Sequence, residues 1–362
     1  MSSARTTRPA HRSAATGASA TRLSPRYAVV ACTVLARIAV ATAPVPSVWS
    51  SSQQPRPISV SLGRSIARLP LAAIGRVDGA AVDRHGDVFL LDGQNSLLRG
   101  FGPTGQMLAT VGGPGLGRGA LAVPRAIALG ARGNVLVYDA RTLRISRYIA
   151  RGGQLHFAER VPAPPVAASD MCVMEGDTYI FGYYKGKIVH RLSADGRAVT
   201  SFGSGYGPPS ALAQYTLAAG HILCDARLRR VVVASRIYPE VRSYSSSGVL
   251  LWSLRFPLIK PTVIRYLPGG GVGFEQPYGG SDMIVSLAML SDRIGAIQVG
   301  RVRRGSIGDS VHTYYVSLVD GGKLGGQTNL PLLFAAYPPL MLVRDPVPPA
   351  ALAVRRFAIR YR

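Results

Sequence analysis

Five polar residues stand near the starts of short apolar runs and carry side chains that could bind a ligand. They are Arg125, Asp170, His221, Arg265 and His312. A carboxylate, two imidazoles and two guanidinium groups could together hold a metal ion or an anion. If the apolar runs are the innermost strands of a ring of sheets, these side chains lie at the entrance of a central channel. They are our candidate ligand-binding residues, and the alternative is that such wet positions simply tolerate polar side chains.

The glycine-rich segment Gly113–Gly119 (GPGLGRG) follows an apolar run and looks like a phosphate-binding loop. A dinucleotide fingerprint requires a helix directly after the loop, and a P-loop requires a GK[ST] sequence. The residues that follow here, ALAVPRAIAL, contain Pro124 and are typical of a strand. We therefore predict a connection between two structural units, and no nucleotide or other cofactor.

Other chemistry-bearing residues also favour structural roles. Asp83, Asp92 and Asp139 each end an apolar run beside a turn, where aspartate accepts hydrogen bonds from backbone N–H groups. The sequence contains no Gly-x-Ser-x-Gly elbow and no cysteine or histidine spacing of a structural zinc site. We assign no catalytic residue and no metal ligand. Whether the chain is an enzyme stays open, and the non-enzymatic interpretation is favoured.

The chain has three cysteines, Cys32, Cys172 and Cys224. The last two fall at similar points of successive repeat units. They could form a disulfide if the chain is exported. We expect two buried free thiols instead, because equivalent positions on neighbouring sheets are too far apart for bridging geometry.

The elements that must position these side chains form a repeat. Between residues 79 and 111 the runs GAAVD, DVFLL, SLLRGF and QMLATV are separated by tight turns, which predicts a four-stranded antiparallel meander. The runs RAIAL, NVLVY, LRISRYI and QLHFA repeat it between residues 125 and 158, and Asp92 and Asp139 occupy the same place. Such a repeat is typical of a β-propeller, because a single meander cannot bury both of its faces.

Four weaker units extend the pattern to the end of the chain. We place them at Ala168–Phe202, Gly220–Leu254, Pro261–Val299 and Val311–Arg362. The sequence therefore predicts an all-β fold, a six-bladed β-propeller of four-stranded antiparallel blades over residues 58–362. Ile58–Leu62 (ISVSL) has no partner in the first blade. We expect this N-terminal strand to pair with the last blade and close the ring, which would remove two exposed edges.

The first two units resemble the NHL-repeat type of six-bladed propeller in the TolB-like group. The resemblance is carried by residues 78–158, where an aspartate follows the first and second strands and a glycine stands in the turns. The later units lack the second aspartate, and Gly182, Ser235 and Gln276 stand near that point. Some six-bladed relatives are lactonases or lyases with a channel metal, and some NHL propellers bind RNA. No residue matches those catalytic motifs here, so the resemblance implies the fold and leaves the activity open.

The first 57 residues favour export. Residues 1–26 are basic, rich in Ser, Thr and Ala, and predicted to be disordered. Tyr27–Ala43 is apolar, is interrupted by Arg37 and ends in Ala-Thr-Ala, so it resembles a signal peptide; an uncleaved membrane anchor is the alternative. Residues 44–57 are predicted to be a linker. We expect a periplasmic or secreted protein that contacts the membrane only if this segment is retained.

The net charge of +24 could indicate nucleic acid or an anionic membrane as a partner. However, the arginines are spread along an alanine-rich chain with few lysines, which fits the compositional bias of a high-GC genome. We expect a monomer that binds no specific nucleic acid. The favoured function is an exported, non-enzymatic scaffold that binds a protein, peptide or glycan ligand at one face. The alternative is a metal-dependent hydrolase or lyase with its site at the central channel.

Overall fold

The computed structural model describes residues 57–72, 74–207, 210–256, 258, 260–267 and 272–361. Within them, six four-stranded antiparallel sheets surround a central channel as the blades of a propeller. The predicted fold class is therefore confirmed. The predicted disordered N-terminus, the signal-like segment and all but the last residue of the linker lie outside the described residues. None of the described helices is long and apolar enough to cross a membrane.

Each of the first five blades is built from four strands that follow one another along the chain, with the first strand innermost. Blades one to three consist of β2 (Val77–Val82), β3 (Val88–Asp92), β4 (Leu97–Phe101), β5 (Met107–Gly112), β6 (Pro124–Leu129), β7 (Asn134–Asp139), β8 (Arg144–Arg151), β9 (Gln154–Pro162), β10 (Asp170–Met174), β11 (Asp177–Tyr184), β12 (Lys187–Leu192) and β13 (Ala198–Phe202). The fourth blade consists of β14 (Gly220–Asp225), β15 (Arg230–Ser235), β16 (Glu240–Ser245) and β17 (Leu250–Arg255). A helix, α1 (Ala211–Leu217), precedes it, and a 3-10 turn (Ala131–Gly133) precedes β7.

The second half of the ring departs from the predicted boundaries. A separate two-stranded hairpin, β18 (Val263–Tyr266) and β19 (Val272–Glu275), follows the fourth blade. The fifth blade consists of β20 (Ser281–Ser291), β21 (Ile294–Arg303), β22 (Ser306–Ser317) and β23 (Lys323–Gln327), and the sixth of β24 (Leu333–Tyr337), β25 (Leu340–Asp345), β26 (Ala351–Tyr361) and β1 (Ile58–Pro70). The predicted units Pro261–Val299 and Val311–Arg362 are therefore wrong. The hairpin has the apolar pattern of strands, but it pairs only with itself.

The ring is closed by its first strand, as predicted. β1 pairs antiparallel with β26, from Ile58 opposite Tyr361 to Pro70 opposite Ala351. The amide of Val60 donates to Oε1 of Gln327 over 2.9 Å, and Nε2 of Gln327 donates back to the Val60 carbonyl, which joins β1 to the fifth blade. The two chain ends of the propeller are thus fastened in one sheet, and β1 covers the edge of β26.

The core is divided among the junctions between blades. Six clusters of buried apolar side chains each join residues of neighbouring sheets, and they follow one another around the whole ring. The second strands are apolar along their length because they are covered on both faces; all five residues of β3 are buried, for example. A blade therefore buries its faces only through its neighbours, which explains why one meander would not fold alone.

The repeated aspartates have the structural role that was predicted. Oδ1 of Asp83 accepts hydrogen bonds from the amides of His85 and Asp87. Asp92 and Asp139 are both fully buried. Each carboxylate accepts hydrogen bonds from amides of the turn that follows its strand. Each also accepts hydrogen bonds from amides of the segment that leads into the innermost strand of the same blade. Asp345 ends β25 in the same position of the sixth blade, where the prediction had no aspartate because the blade boundary was misplaced.

Candidate functional site

The innermost strands β2, β6, β10, β14, β20 and β24 contact one another in that order and enclose a cavity of about 1090 Å³. Its wall presents apolar and polar surface in about equal parts. The apolar lining residues include Ala80, Val82, Ile127, Leu129, Met171, Ile222, Leu287 and Leu333. The cavity falls in the size range of sites that enclose small ligands. Its polar lining residues at the junction of blades three and four form the candidate site.

Asp170 begins β10 and fastens it to the next blade. Its Oδ1 accepts a hydrogen bond of 2.9 Å from the amide of Met171, and its Oδ2 accepts one of 3.1 Å from the amide of Ile222 on β14. The enclosed position raises the pKa of Asp170 to about 7 through loss of solvation, although the two amides and the Arg236 charge act in the opposite direction. The carboxyl is therefore partly protonated at neutral pH.

His221 faces Asp170 from β14. Its Nδ1 lies 4.0 Å from Oδ2 of Asp170, which is too long for a hydrogen bond. Loss of solvation, together with the nearby Arg236 charge, lowers the pKa of His221 to about 3. The imidazole is thus neutral at ordinary pH. Gly220 precedes it at the start of the strand, where any side chain would collide with the carbonyl of Ala234.

Arg236 is the third polar group of the site and was missed in the sequence. It follows β15, and its side chain is exposed and lines the cavity. Its amide donates to the carbonyl of Ala219 and its carbonyl accepts from the amide of Ile284, so its backbone is fixed between blades four and five. Within the described part of the chain its guanidinium forms no ion pair. The only signal in the sequence was a basic residue directly after a buried second strand.

The structure brings together two of the five predicted residues, Asp170 and His221. Arg125 lies on the innermost strand β6, as expected, but its side chain is exposed and does not line the cavity. Arg265 lies on the hairpin strand β18 and pairs with a glutamate of β19. His312 lies on β22, the third strand of its blade, with its ring 4.3 Å from that of Tyr314. The expected positions of Arg265 and His312 on innermost strands were wrong because the last two blades were misplaced.

A disulfide joins Cys172 on β10 to Cys224 on β14, and both residues line the cavity. The expectation of two free thiols was therefore wrong. Innermost strands converge toward the axis, and the two Cα atoms are 5.6 Å apart, within the range that a disulfide spans. The third cysteine, Cys32, lies outside the described residues.

A second polar group lines the cavity at the turn between β2 and β3. It includes Asp83, Arg84, His85 and Asp87. The Asp83 carboxylate is occupied by the amides of the turn, and burial together with the Asp83 charge raises the pKa of Asp87. In the part of the chain that the structure covers, no three His, Cys, Asp or Glu side chains are grouped so as to hold a metal ion.

The fold and the cavity define this chain as a six-bladed β-propeller whose central channel is lined by both apolar and polar residues. Two solved structures of bacterial proteins have the same fold. A member of the DUF4221 family from Bacteroides vulgatus ATCC 8482 matches 86% of this chain and 100% of its own, with 10% sequence identity and a TM-score of 0.56. A protein of Bacteroides fragilis NCTC 9343, described as exported, matches 84% of this chain and 95% of its own, with 10% identity and a TM-score of 0.55.

At this level of identity the likeness shows the fold alone. No protein-family model matches the chain, and no curated protein matches it either. The NHL-repeat or TolB-like type therefore stays a prediction from the residues of the first two blades.

Proposed function

We propose that this chain is an exported, non-enzymatic propeller that binds the end of a peptide, free or part of a protein, in its central channel. The observation that carries the proposal is the cavity of about 1090 Å³, whose wall combines apolar residues with Asp170, His221 and Arg236. Ligand sites of this kind bury apolar groups and use a few placed polar groups to fix orientation. A peptide end fits such a site because it offers apolar side chains together with one charged terminus.

The apolar part of the wall favours a peptide over a glycan among the ligands predicted from the sequence. Sugar hydroxyls that are buried against residues such as Val82, Ile127 and Leu287 would lose hydrogen bonds to water without replacing them. Apolar side chains gain free energy in the same place, about 25 cal/mol for each Å² removed from water. Polar backbone groups of the peptide would remain toward the polar junction of blades three and four.

The described residues of the site favour binding over catalysis. Asp170 and His221 make no direct hydrogen bond, so the carboxyl does not orient the imidazole as it does in a catalytic dyad. The two cysteines of the channel are bridged, so neither supplies a thiolate nucleophile. We therefore propose that the three polar groups recognise a ligand rather than transform it.

Two observations support export. The disulfide between Cys172 and Cys224 belongs to an oxidising compartment. The apolar segment Tyr27–Ala43, outside the described residues, has the composition of a secretory signal. We expect a mature N-terminus near Pro44, which mass spectrometry of the protein from its native host would detect. An intact Met1 on a cytoplasmic protein would contradict the proposed location.

The binding proposal is tested by selecting peptides from a random phage-displayed library on the full chain. Selected peptides are then measured against a variant with a filled channel, Ala80→Phe, and against Arg197→Ala, which removes an exposed arginine remote from the channel. We expect the filled channel to abolish binding and the Arg197 variant to retain it. Equal binding to both variants would refute the channel as the site. Stoichiometric divalent metal in the purified chain would favour the hydrolase or lyase alternative.

A further inference from the structure

The charges at the junction of blades three and four do not balance. Some arginines close to the innermost strands have carboxylate partners: Arg76 pairs with Asp78, and Arg301 pairs with Asp282. Arg84 and Arg125 form no ion pair among the described residues, but neither lies at this junction of the cavity. Arg236 forms no ion pair among the described residues, although it lines the cavity. A guanidinium beside an apolar wall is stabilised by an anion that accepts its parallel N–H groups. The geometry therefore leaves one positive charge available to a ligand.

Asp170 does not supply the missing negative charge. Its two oxygens are committed to the amides of Met171 and Ile222, and no ion pair joins it to Arg236. Its pKa is raised to about 7, so below neutral pH it is mainly the uncharged acid. His221 is neutral there as well, because its pKa is lowered to about 3. The three groups together carry about one positive charge at pH 6 and about none at pH 8.

The charged and titratable groups around Asp170 are consistent with this assignment. β14 contributes His221, the residue after β15 contributes Arg236, and the second residue of β6 is the exposed Arg125. On β11, the residue paired with Asp170 is Phe181, which carries no charge. Arg236 is the charged group that influences the pKa of Asp170. A ligand that brings a negative charge to Arg236 would repel the ionised carboxylate of Asp170. Binding of such a ligand would therefore favour the neutral form of Asp170.

The chemistry of the site selects a single carboxylate on an apolar chain. One guanidinium matches a carboxylate with two parallel hydrogen bonds, whereas a phosphate dianion needs further positive charge. The other cationic residue of the described lining, Arg84, belongs to the turn between β2 and β3, beside Asp83. Apolar wall residues such as Met171 and Ile222 lie next to the polar groups, so the carboxylate must be joined to an apolar group.

We infer that the channel is a binding site for a terminal carboxylate carried by an apolar chain, with Arg236 as its counter-ion and Asp170 as the neighbouring acid that tunes its affinity. This inference rests on the proposed function and specifies which end of the peptide enters. A free C-terminus and a fatty acid share this chemistry, and the experiment below separates them.

The test uses the full chain and three probes in isothermal titration: N-acetyl-Leu-Ala-Leu with a free carboxylate, the same peptide as its C-terminal amide, and decanoate. At pH 6 we expect the free acid to bind at least about tenfold more tightly than the amide, as for a charge-assisted pair worth about 1.5 kcal/mol or more. Between pH 6 and pH 8 the affinity for the acid should fall about tenfold, because the fraction of protein with neutral Asp170 falls by that factor. The amide should show no comparable change.

Variants assign these effects to residues. Arg236→Ala and the milder Arg236→Gln should remove the preference for the acid, while Arg197→Ala should keep it. Asp170→Asn should keep the preference and lose the dependence on pH. Circular dichroism and the melting temperature of each variant verify that it is folded.

The outcomes separate this inference from the proposed function. Equal affinity for acid and amide, with both lost in Ala80→Phe, would overturn the carboxylate assignment and leave peptide binding standing. Binding of decanoate but of neither peptide would support the carboxylate site and refute a peptide as the ligand. If neither carboxylate binds at millimolar concentration, the inference is wrong, whatever the peptide library selects.

Discussion

Asp170 and His221 should impose opposite pH dependences on stability. In the folded protein the pKa of Asp170 is raised to about 7 and that of His221 is lowered to about 3, whereas both return to ordinary values on unfolding. Between about pH 4 and pH 6.5 the folded state therefore holds a proton on Asp170 that the unfolded state releases. The unfolded state takes up a proton on His221 that the folded state excludes. The free energy of unfolding falls with pH through Asp170 and rises with pH through His221, and the two effects nearly cancel.

Single substitutions should reveal each of the two opposing pH dependences of stability. One proton of difference corresponds to about 1.4 kcal/mol per pH unit. As the pH rises from 4.5 to 6, the free energy of unfolding of Asp170→Asn should therefore increase by about 2 kcal/mol relative to that of the wild type. The free energy of unfolding of His221→Gln should decrease by about 2 kcal/mol relative to that of the wild type over the same rise in pH. The double variant should differ from the wild type by an amount that does not change with pH, which makes it the internal control.

Urea denaturation of the full chain across this range, followed by circular dichroism, measures all four proteins. The quantity of interest is the slope of the stability difference against pH, because contributions from other titratable groups cancel in that difference. Two single-variant lines of opposite slope are the expected result. Lines without slope would show that neither group is shielded from water in the folded state, and the electrostatic description of the site would then be wrong.

Three further predictions concern the ring, the disulfide and the charge. Deletion of Ile58–Leu62 should lower the free energy of unfolding by about 3–6 kcal/mol, because it exposes the edge of β26 and removes two buried side chains; an unchanged urea midpoint would contradict the closure. Replacing Cys172 and Cys224 by serine should cost about 4 kcal/mol, as expected for a bridge that closes a segment of 52 residues, and equal stability of the oxidised chain and the variant would argue against it. Binding of RNA or DNA should be no tighter than about 10–100 μM near physiological salt; nanomolar binding that survives higher salt in a filter assay would refute this.

The first two blades could be predicted almost strand for strand because their turns are encoded locally. Asp92 and Asp139 follow buried strands, and their carboxylates bind the amides of the adjoining turn. Each turn therefore leaves a signal within a few residues of the strand that it ends. The closing strand was predictable for a related reason, since Ile58–Leu62 alternates apolar residues and has no partner nearby.

The last two blades could not be divided correctly from local patterns. β20, β21 and β22 have 10 to 12 residues each, so the spacing of the earlier blades is lost. The two strands of the hairpin, β18 and β19, have a pattern of apolar and polar residues that resembles the pattern of strands within a blade. The pairing of strands within a sheet is a non-local property, and it cannot be predicted from the pattern of apolar runs alone.

The site was predicted in part for the same reason. Asp170 and His221 were found because they lie at the first and second residue of innermost strands, where side chains come close to the channel. Arg236 follows β15, the second strand of its blade, and the residue lines the cavity because of the direction that the chain takes after β15. The strand pattern does not predict that direction. The disulfide was mispredicted because the distance between two blades close to the axis cannot be estimated from the spacing of their cysteines.

The junction between β10 and β14 is fastened more heavily than blade packing alone requires. Three kinds of link lie within four consecutive residues at the start of β10: Oγ of Ser169 accepts from the amide of Gly220, Asp170 accepts from Ile222, and Cys172 is bonded to Cys224. Each link joins the innermost strands of blades three and four, beside the three polar groups of the site. A ligand that binds a rigid mouth loses less free energy to ordering of the protein. The links at this junction would therefore favour the ligand binding that we propose for the three polar groups beside it.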